Sequence, residues 1–258
     1  MGYEDLRNYR RTELVFLDID NIHKMRESME RLVRVAEELS CPDIDAAERA
    51  KMVAGTKWLY HVGMVLRGTA TCVERLRQGA AVLVHCSDGW DRTSQIASLV
   101  QVVLDPFYRT LVGLTRLIDK DWVAFGHKFQ DRCRHLCVTE STSEYSPIFV
   151  QFLDALWQLL RTTPAAFEYT EALLLEVAHQ VYSCFFGNFR GNTAAPPVPP
   201  ADSLWRVLGE PQYRAVYINP EYSPDPGDLP LDAVLASGPA LWDGLYVRYA
   251  RYHSVSLC

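Results

Sequence analysis

Apolar positions along the chain fall into two short runs and several longer stretches with a helical period. Glu13 to Ile19 (ELVFLDI) and Ala80 to Val84 are brief and rich in apolar residues, and both read as buried strands. Between them, Lys24 to Leu39 predicts an amphipathic helix with Met25, Met29, Leu32, Val33 and Ala36 on one face. Cys41-Pro42-Asp43 breaks it, and a longer helix is expected from about Lys57 to Arg77, closed by Gln78-Gly79. From Thr93 onward the pattern is helical. One helix is expected over Thr93 to Leu104. Asp105-Pro106 opens another to about Ile118, and Ser146-Pro147 a third over Ile148 to Leu160. In that third helix Phe149, Phe152, Leu153, Leu156, Trp157 and Leu160 form a core stripe, with no cofactor implied. A further helix runs from about Pro164 to Phe185, with a break near Tyr169. Residues 194–200 (AAPPVPP) read as an extended connector, and the tail from Ala201 promises only a short helix, Ser203 to Leu208.

The second apolar run leads straight into Val84 to Ser94, VHCSDGWDRTS, and then into a helix. A strand–loop–helix turn of this kind directs successive backbone N–H groups to one point, and the helix dipole adds positive potential there. The same field lowers a thiol's pKa, which would make Cys86 a thiolate nucleophile. Arg92 follows Cys86 after five intervening residues and can fold back to grip two phosphate oxygens with its planar fork. The amides of Ser87 to Arg92 complete the cradle, and Gly89 lets the backbone come close to phosphate. Trp90 either shapes the loop, touches the ligand or simply packs. His85 orients the loop, and Thr93 either caps the helix or bonds the thiolate. Asp88 and Asp91 repel a phosphate when ionised, so one of them is expected to carry a proton and to give it to the leaving oxygen.

Composition narrows the setting. In 258 residues the hydrophobic share of 48% suffices for a packed core, and 22% charged residues is ordinary for a globule. The net charge of −6 argues against a general nucleic-acid binder and gives no global attraction to anionic membranes, so any such preference must be local. Seven cysteines, odd in number and without paired spacing, favour a reducing compartment. No apolar run approaches a spanning helix, and the Met-Gly start is followed by Leu6 where a myristoylation signal wants Ser or Thr.

The string HCSDGWDRT resembles the active-site loop of the myotubularin family, and DIDNIHKMRES and GHKFQDRC are similar to further segments of it. The resemblance implies removal of the 3-phosphate from phosphatidylinositol 3-phosphate and the 3,5-bisphosphate through a cysteinyl-phosphate, with no metal or cofactor. It implies an α/β cysteine-dependent phosphatase fold, myotubularin-like and helix-rich. Two strands do not make a covered sheet among so many helices. The N-terminal strands of the sheet are therefore expected to be missing, with residues 1–193 the C-terminal part of the phosphatase domain. Residues 194–200 are then a linker and 201–258 a C-terminal extension. The implied setting is cytoplasmic, peripheral on endosomal membranes, with the phosphoinositide as membrane ligand and a family partner in the longer protein.

The resemblance also distributes roles. It puts the general acid on Asp91, with Asp88 contacting substrate or the attacking water. It puts Asn21 and Ile22 against the inositol ring, although Asn21 reads equally as a turn residue satisfying backbone groups. It gives the pair Lys128 and Arg132, at i and i+4 of a helix, to a second phosphate, with an ordinary solvated face as the competing reading. Lys128 lacks the bidentate fork of an arginine there. His127, Cys133, His135 and Cys137 crowd together, but their spacing is poor for zinc. A protein tyrosine phosphatase and a non-catalytic headgroup-binding scaffold are the rival functions.

Overall fold

The computed structural model describes residues 6–41, 43–135, 144–193, 202–224 and 227–247. Its centre is the helix that follows Ser146-Pro147. Ile148–Thr162 (α7) is buried on every side from Ile148 to Leu160, not along one stripe. A helix apolar all round belongs inside, and its three polar residues there, Gln151, Asp154 and Gln158, are each engaged. Upstream lie Ile22–Leu39 (α1), Ala46–Thr56 (α2), Trp58–Arg77 (α3), Arg92–Leu104 (α4), Leu111–Ile118 (α5) and Phe129–Cys133 (α6). Downstream lie Glu171–Ser183 (α8), Leu204–Gly209 (α9), Pro211–Tyr217 (α10), Leu231–Ser237 (α11) and Asp243–Tyr246 (α12). Helices α3, α4 and α7 pack against one another, and Gln95 of α4 ties to α7 by donating to Gln151 Oε1 at 2.9 Å and Ile148 O at 3.0 Å.

Several boundaries differ from the sequence expectation, each for a local reason. Val33 is 63% exposed, because the buried face of α1 follows Met25, Met29, Leu32, Ala36 and Leu39. Helix α2 was not expected. Its start is the pair Asp45 and Glu48, where the Asp45 carboxylate accepts from Glu48 N at 2.8 Å. Lys57, in the left-handed region (φ 62°), separates it from α3. The Asp105-Pro106 device opens only a short 3-10 turn, and Thr110 caps α5 afresh by accepting from Gly113 N.

The α/β expectation is corrected for the described residues, which contain no β-ladder, only an isolated antiparallel bridge between Tyr169 and Ile218. The two apolar runs nonetheless keep the two-residue period of half-buried strands. Val82 and Val84 pack on the core while Leu83 stands 88% exposed. Leu17 and Ile19 press on α3 so closely that a Cβ on Gly68 would lie 3.3 Å and 3.2 Å from their Cδ1 atoms. A strand is defined by its hydrogen-bonded neighbour as well as its side-chain pattern, and here the pattern stands without the neighbour.

The tail is better ordered than its composition suggested. Trp242 is fully buried and stacks on Trp157 of α7, with ring centroids 5.4 Å apart and planes within 8°. The Gln158 side chain donates to Ala240 O at 2.8 Å and accepts from Ala240 N at 3.0 Å. Asp154, wholly buried, accepts from Trp58 Nε1, Gln158 Nε2 and Tyr246 OH, each at 2.8 Å. Burial pushes its carboxyl up to about 6 despite those donors. The 194–200 connector lies outside the described residues.

Candidate active site

The loop between the second apolar run and α4 wraps around Cys86. The half-buried sulfur accepts from Gly89 N at 3.2 Å. Burial by itself would raise the thiol's pKa. Interactions from the Thr93 hydroxyl and the amides of Gly89, Thr93 and Asp88 outweigh it, and the net direction is down. The buried Thr93 hydroxyl makes no other hydrogen bond that would compete for it. Gly89 sits at φ 96°, a conformation that turns its amide toward the sulfur and that L side chains resist.

Arg92 is the first residue of α4 and folds back over the loop. Its guanidinium donates to Ser87 Oγ at 3.1 Å and to Ile19 O at 3.2 Å. The first apolar run thus positions the arginine through its backbone, a contribution no residue type could announce. Ser87 and Asp88 are exposed on the same loop.

Asp91, to which the resemblance gives the general-acid role, is enclosed. It is 5% exposed and faces inward, where Arg132 grips it with Nε to Oδ1 at 3.2 Å and Nη2 to Oδ2 at 2.9 Å. His127 Nδ1 lies 3.1 Å from Oδ1 and 2.9 Å from Trp90 O, so an Nδ1–H serves both. Burial would push the Asp91 carboxyl up; the bonds from His127 and Arg132 win, and it is held at about 2. Both Asp91 oxygens are thus engaged by His127 and Arg132, whereas the other candidate acid, Asp88, is exposed on the loop.

Arg132 is enclosed with it. Besides Asp91 it donates to Glu144 Oε2 and O, both at 2.9 Å, and only 2% of it is exposed. Its fork is occupied by the carboxylates of Asp91 and Glu144. Lys128 does not share its face, because Lys128 precedes α6 with a non-helical backbone and α6 begins at Phe129. The Lys128 ammonium instead stands 5.0 Å from the centre of the Trp90 ring, at the edge of the loop. Asn21 caps α1, its side-chain oxygen accepting from His23 N at 3.0 Å and Lys24 N at 3.2 Å, the turn reading of this residue. Ile22 O accepts from Ser146 Oγ at 2.8 Å, which ties the start of α1 to the segment preceding α7.

The residues once weighed for zinc disperse. His127 supports the loop, Cys133 is buried with its thiol pKa pushed up, and His135 Nε2 meets Val181 O at 2.6 Å. Cys137 lies outside the described residues, and no group of three metal-ligating side chains occurs among the described ones. The supporting roles of His127 and Glu144 escaped sequence reading because each depends on which buried carboxylate or arginine it meets.

A thiol drawn down by converging amides, with an arginine folded over the same loop, is the equipment of a thiolate-dependent phosphoryl-transfer site. Residues 1–196 match the model of the myotubularin-like phosphatase domain, and the chain belongs to that family. It is 41% identical over 256 residues to the phosphatidylinositol-3,5-bisphosphate 3-phosphatase MTMR6 of Caenorhabditis elegans, covering 96% of this chain and 37% of that protein. It is 45% identical over 192 residues to the phosphatidylinositol-3,5-bisphosphate 3-phosphatase MTMR8 of Homo sapiens, covering 74% and 27%. To the myotubularin of Xenopus laevis it is 36% identical over 254 residues, covering 96% and 41%. The chain therefore spans only about two fifths or less of the length of these relatives.

Proposed function

We propose that this chain carries the catalytic loop of a phosphoinositide 3-phosphatase, acting on phosphatidylinositol 3-phosphate and the 3,5-bisphosphate in a cytoplasmic setting at endosomal membranes. The observation that supports it most is the Cys86 sulfur held among loop amides with its thiol pKa lowered, beside the Arg92 guanidinium. In this reading the Cys86 thiolate attacks phosphorus, and the S–P bond forms as the P–O bond to inositol breaks. Arg92 and the loop amides hold the equatorial oxygens as charge redistributes. The departing oxygen takes a proton from Asp88, the loop carboxyl left exposed while Asp91 is locked in its ion pair. Water then attacks the cysteinyl-phosphate, giving its proton to Asp88 and releasing phosphate and the thiolate. Asp91, Arg132 and His127 are positioning residues. Lys128, beside Trp90, is the cation available to a second phosphate. Names of two relatives include the 3,5-bisphosphate, which supports that wider substrate range.

The test is phosphate release from short-chain phosphatidylinositol 3-phosphate by the folded chain, with Cys86→Ser as control. Cys86-dependent release is expected. Its absence would leave the non-catalytic headgroup-binding reading, and equal turnover of a phosphotyrosine peptide would favour the protein phosphatase.

A further inference from the structure

The rim of the catalytic loop carries an apolar side chain that the chemistry above does not use. Phe125 is 55% exposed, and its Cε1 lies 3.8 Å from where a Cβ on Gly89 would stand. The ring therefore borders the loop itself. The backbone turn that carries it is anchored at both ends. Asp119–Val123 forms a π-helical turn, Ala124 N donates to Asp119 O at 2.8 Å, and His127 N donates to Trp122 O at 2.9 Å. Trp122 is wholly buried among Phe149 and Phe152, while the His127 ring meets Trp90 O at 2.9 Å. One end of the turn that carries Phe125 is thus fixed to the core and the other to the loop.

Three residues on, the Lys128 ammonium stands 5.0 Å from the ring centre of Trp90, the loop residue next to Gly89. An aromatic ring and an ammonium that border adjacent residues of one loop suit the headgroup layer of an anionic bilayer, the ring entering the interface and the cation meeting lipid phosphates. A chain with net charge −6 has no general attraction to such a surface, so a contact must be built locally and where the substrate phosphate enters.

We propose that Phe125, with Lys128, is the membrane-contacting rim of the catalytic loop, its ring entering the lipid interface beside the scissile phosphate and favouring substrate embedded in a bilayer over free headgroup. This rests on the phosphoinositide reading above. The partner is a lipid surface; a peptide would not offer a laterally continuous apolar layer next to the phosphate.

The experiment compares the whole chain and its variants on phosphatidylcholine vesicles bearing phosphatidylinositol 3-phosphate and on free inositol 1,3-bisphosphate. Phe125→Ala is expected to lower the ratio of vesicle to headgroup turnover by about tenfold, the scale set by partly burying a phenylalanine. Phe125→Trp is expected to restore the ratio. Its added indole should also be quenched by brominated lipid beyond the quenching of the six native tryptophans. That quenching needs no turnover, so a chain that hydrolyses nothing yet shows it refutes the enzymatic reading and keeps the rim. Equal slowing of both substrates by Phe125→Ala, or no added quenching in Phe125→Trp, overturns the proposal.

Discussion

Replacing Arg132 by methionine separates its two possible occupations. The change keeps the apolar stem and removes both hydrogen bonds to Asp91 and both to Glu144. Asp91 is 5% and Arg132 2% exposed, so water does not take the vacated place. Removing one member of a buried ion pair costs about 3–5 kcal/mol. Asp91 keeps its His127 contact, and the Glu144 side chain, 45% exposed, is easily rehydrated, which places the expected loss near the lower end, about 3 kcal/mol. The assay is the urea midpoint at pH 7 of the parent, Arg132→Met, Asp91→Asn and the double variant. The double variant should lose less than the sum of the singles, by about 2 kcal/mol, because asparagine leaves no uncompensated charge. The ion pair also has a pH signature. With its pKa held at about 2 against an ordinary 3.8, Asp91 adds stability that is present above about pH 4 and disappears as pH falls toward 2. Arg132→Met should weaken that acid limb. Additive singles would refute the argument. So would unchanged stability with only the KM for a bisphosphate raised, which would return Arg132 to the second phosphate.

Asp88→Asn should slow the first step, transfer of phosphate to Cys86, by about a hundredfold with phosphatidylinositol 3-phosphate but barely slow the burst from an aryl phosphate, whose leaving group needs no proton; equal losses in that first step would remove Asp88 from the acid role. Asp154, with its pKa up at about 6 against 3.8, contributes about 3 kcal/mol that is present below pH 4 and lost as pH rises through 6. Urea midpoints between pH 4.5 and 7.5 should therefore fall more steeply in the parent than in Asp154→Asn, and parallel curves would count against it. Thr93→Val removes a contact that draws the Cys86 thiol down, so its alkylation by iodoacetamide at pH 7 should slow. An unchanged rate would leave the amides alone responsible.

The sequence by itself determined the long helices α1, α3, α4 and α7 and the loop around Cys86, because both are local. The α1 face, the α7 run and HCSDGWDRT with its glycine state their conformations in adjacent residues. It also showed where strands should lie, but a ladder needs a neighbour that no side-chain pattern supplies. What only the tertiary structure decided was the fate of charges. Asp88 and Asp91 are the same residue type three positions apart, yet one is exposed on the loop and the other is enclosed by His127 and Arg132. Lys128 and Arg132 were indistinguishable as a basic pair until one came to rest on Trp90 and the other was buried against carboxylates. A side chain's protonation and availability follow from what encloses it, and enclosure brings together residues that are tens of positions apart.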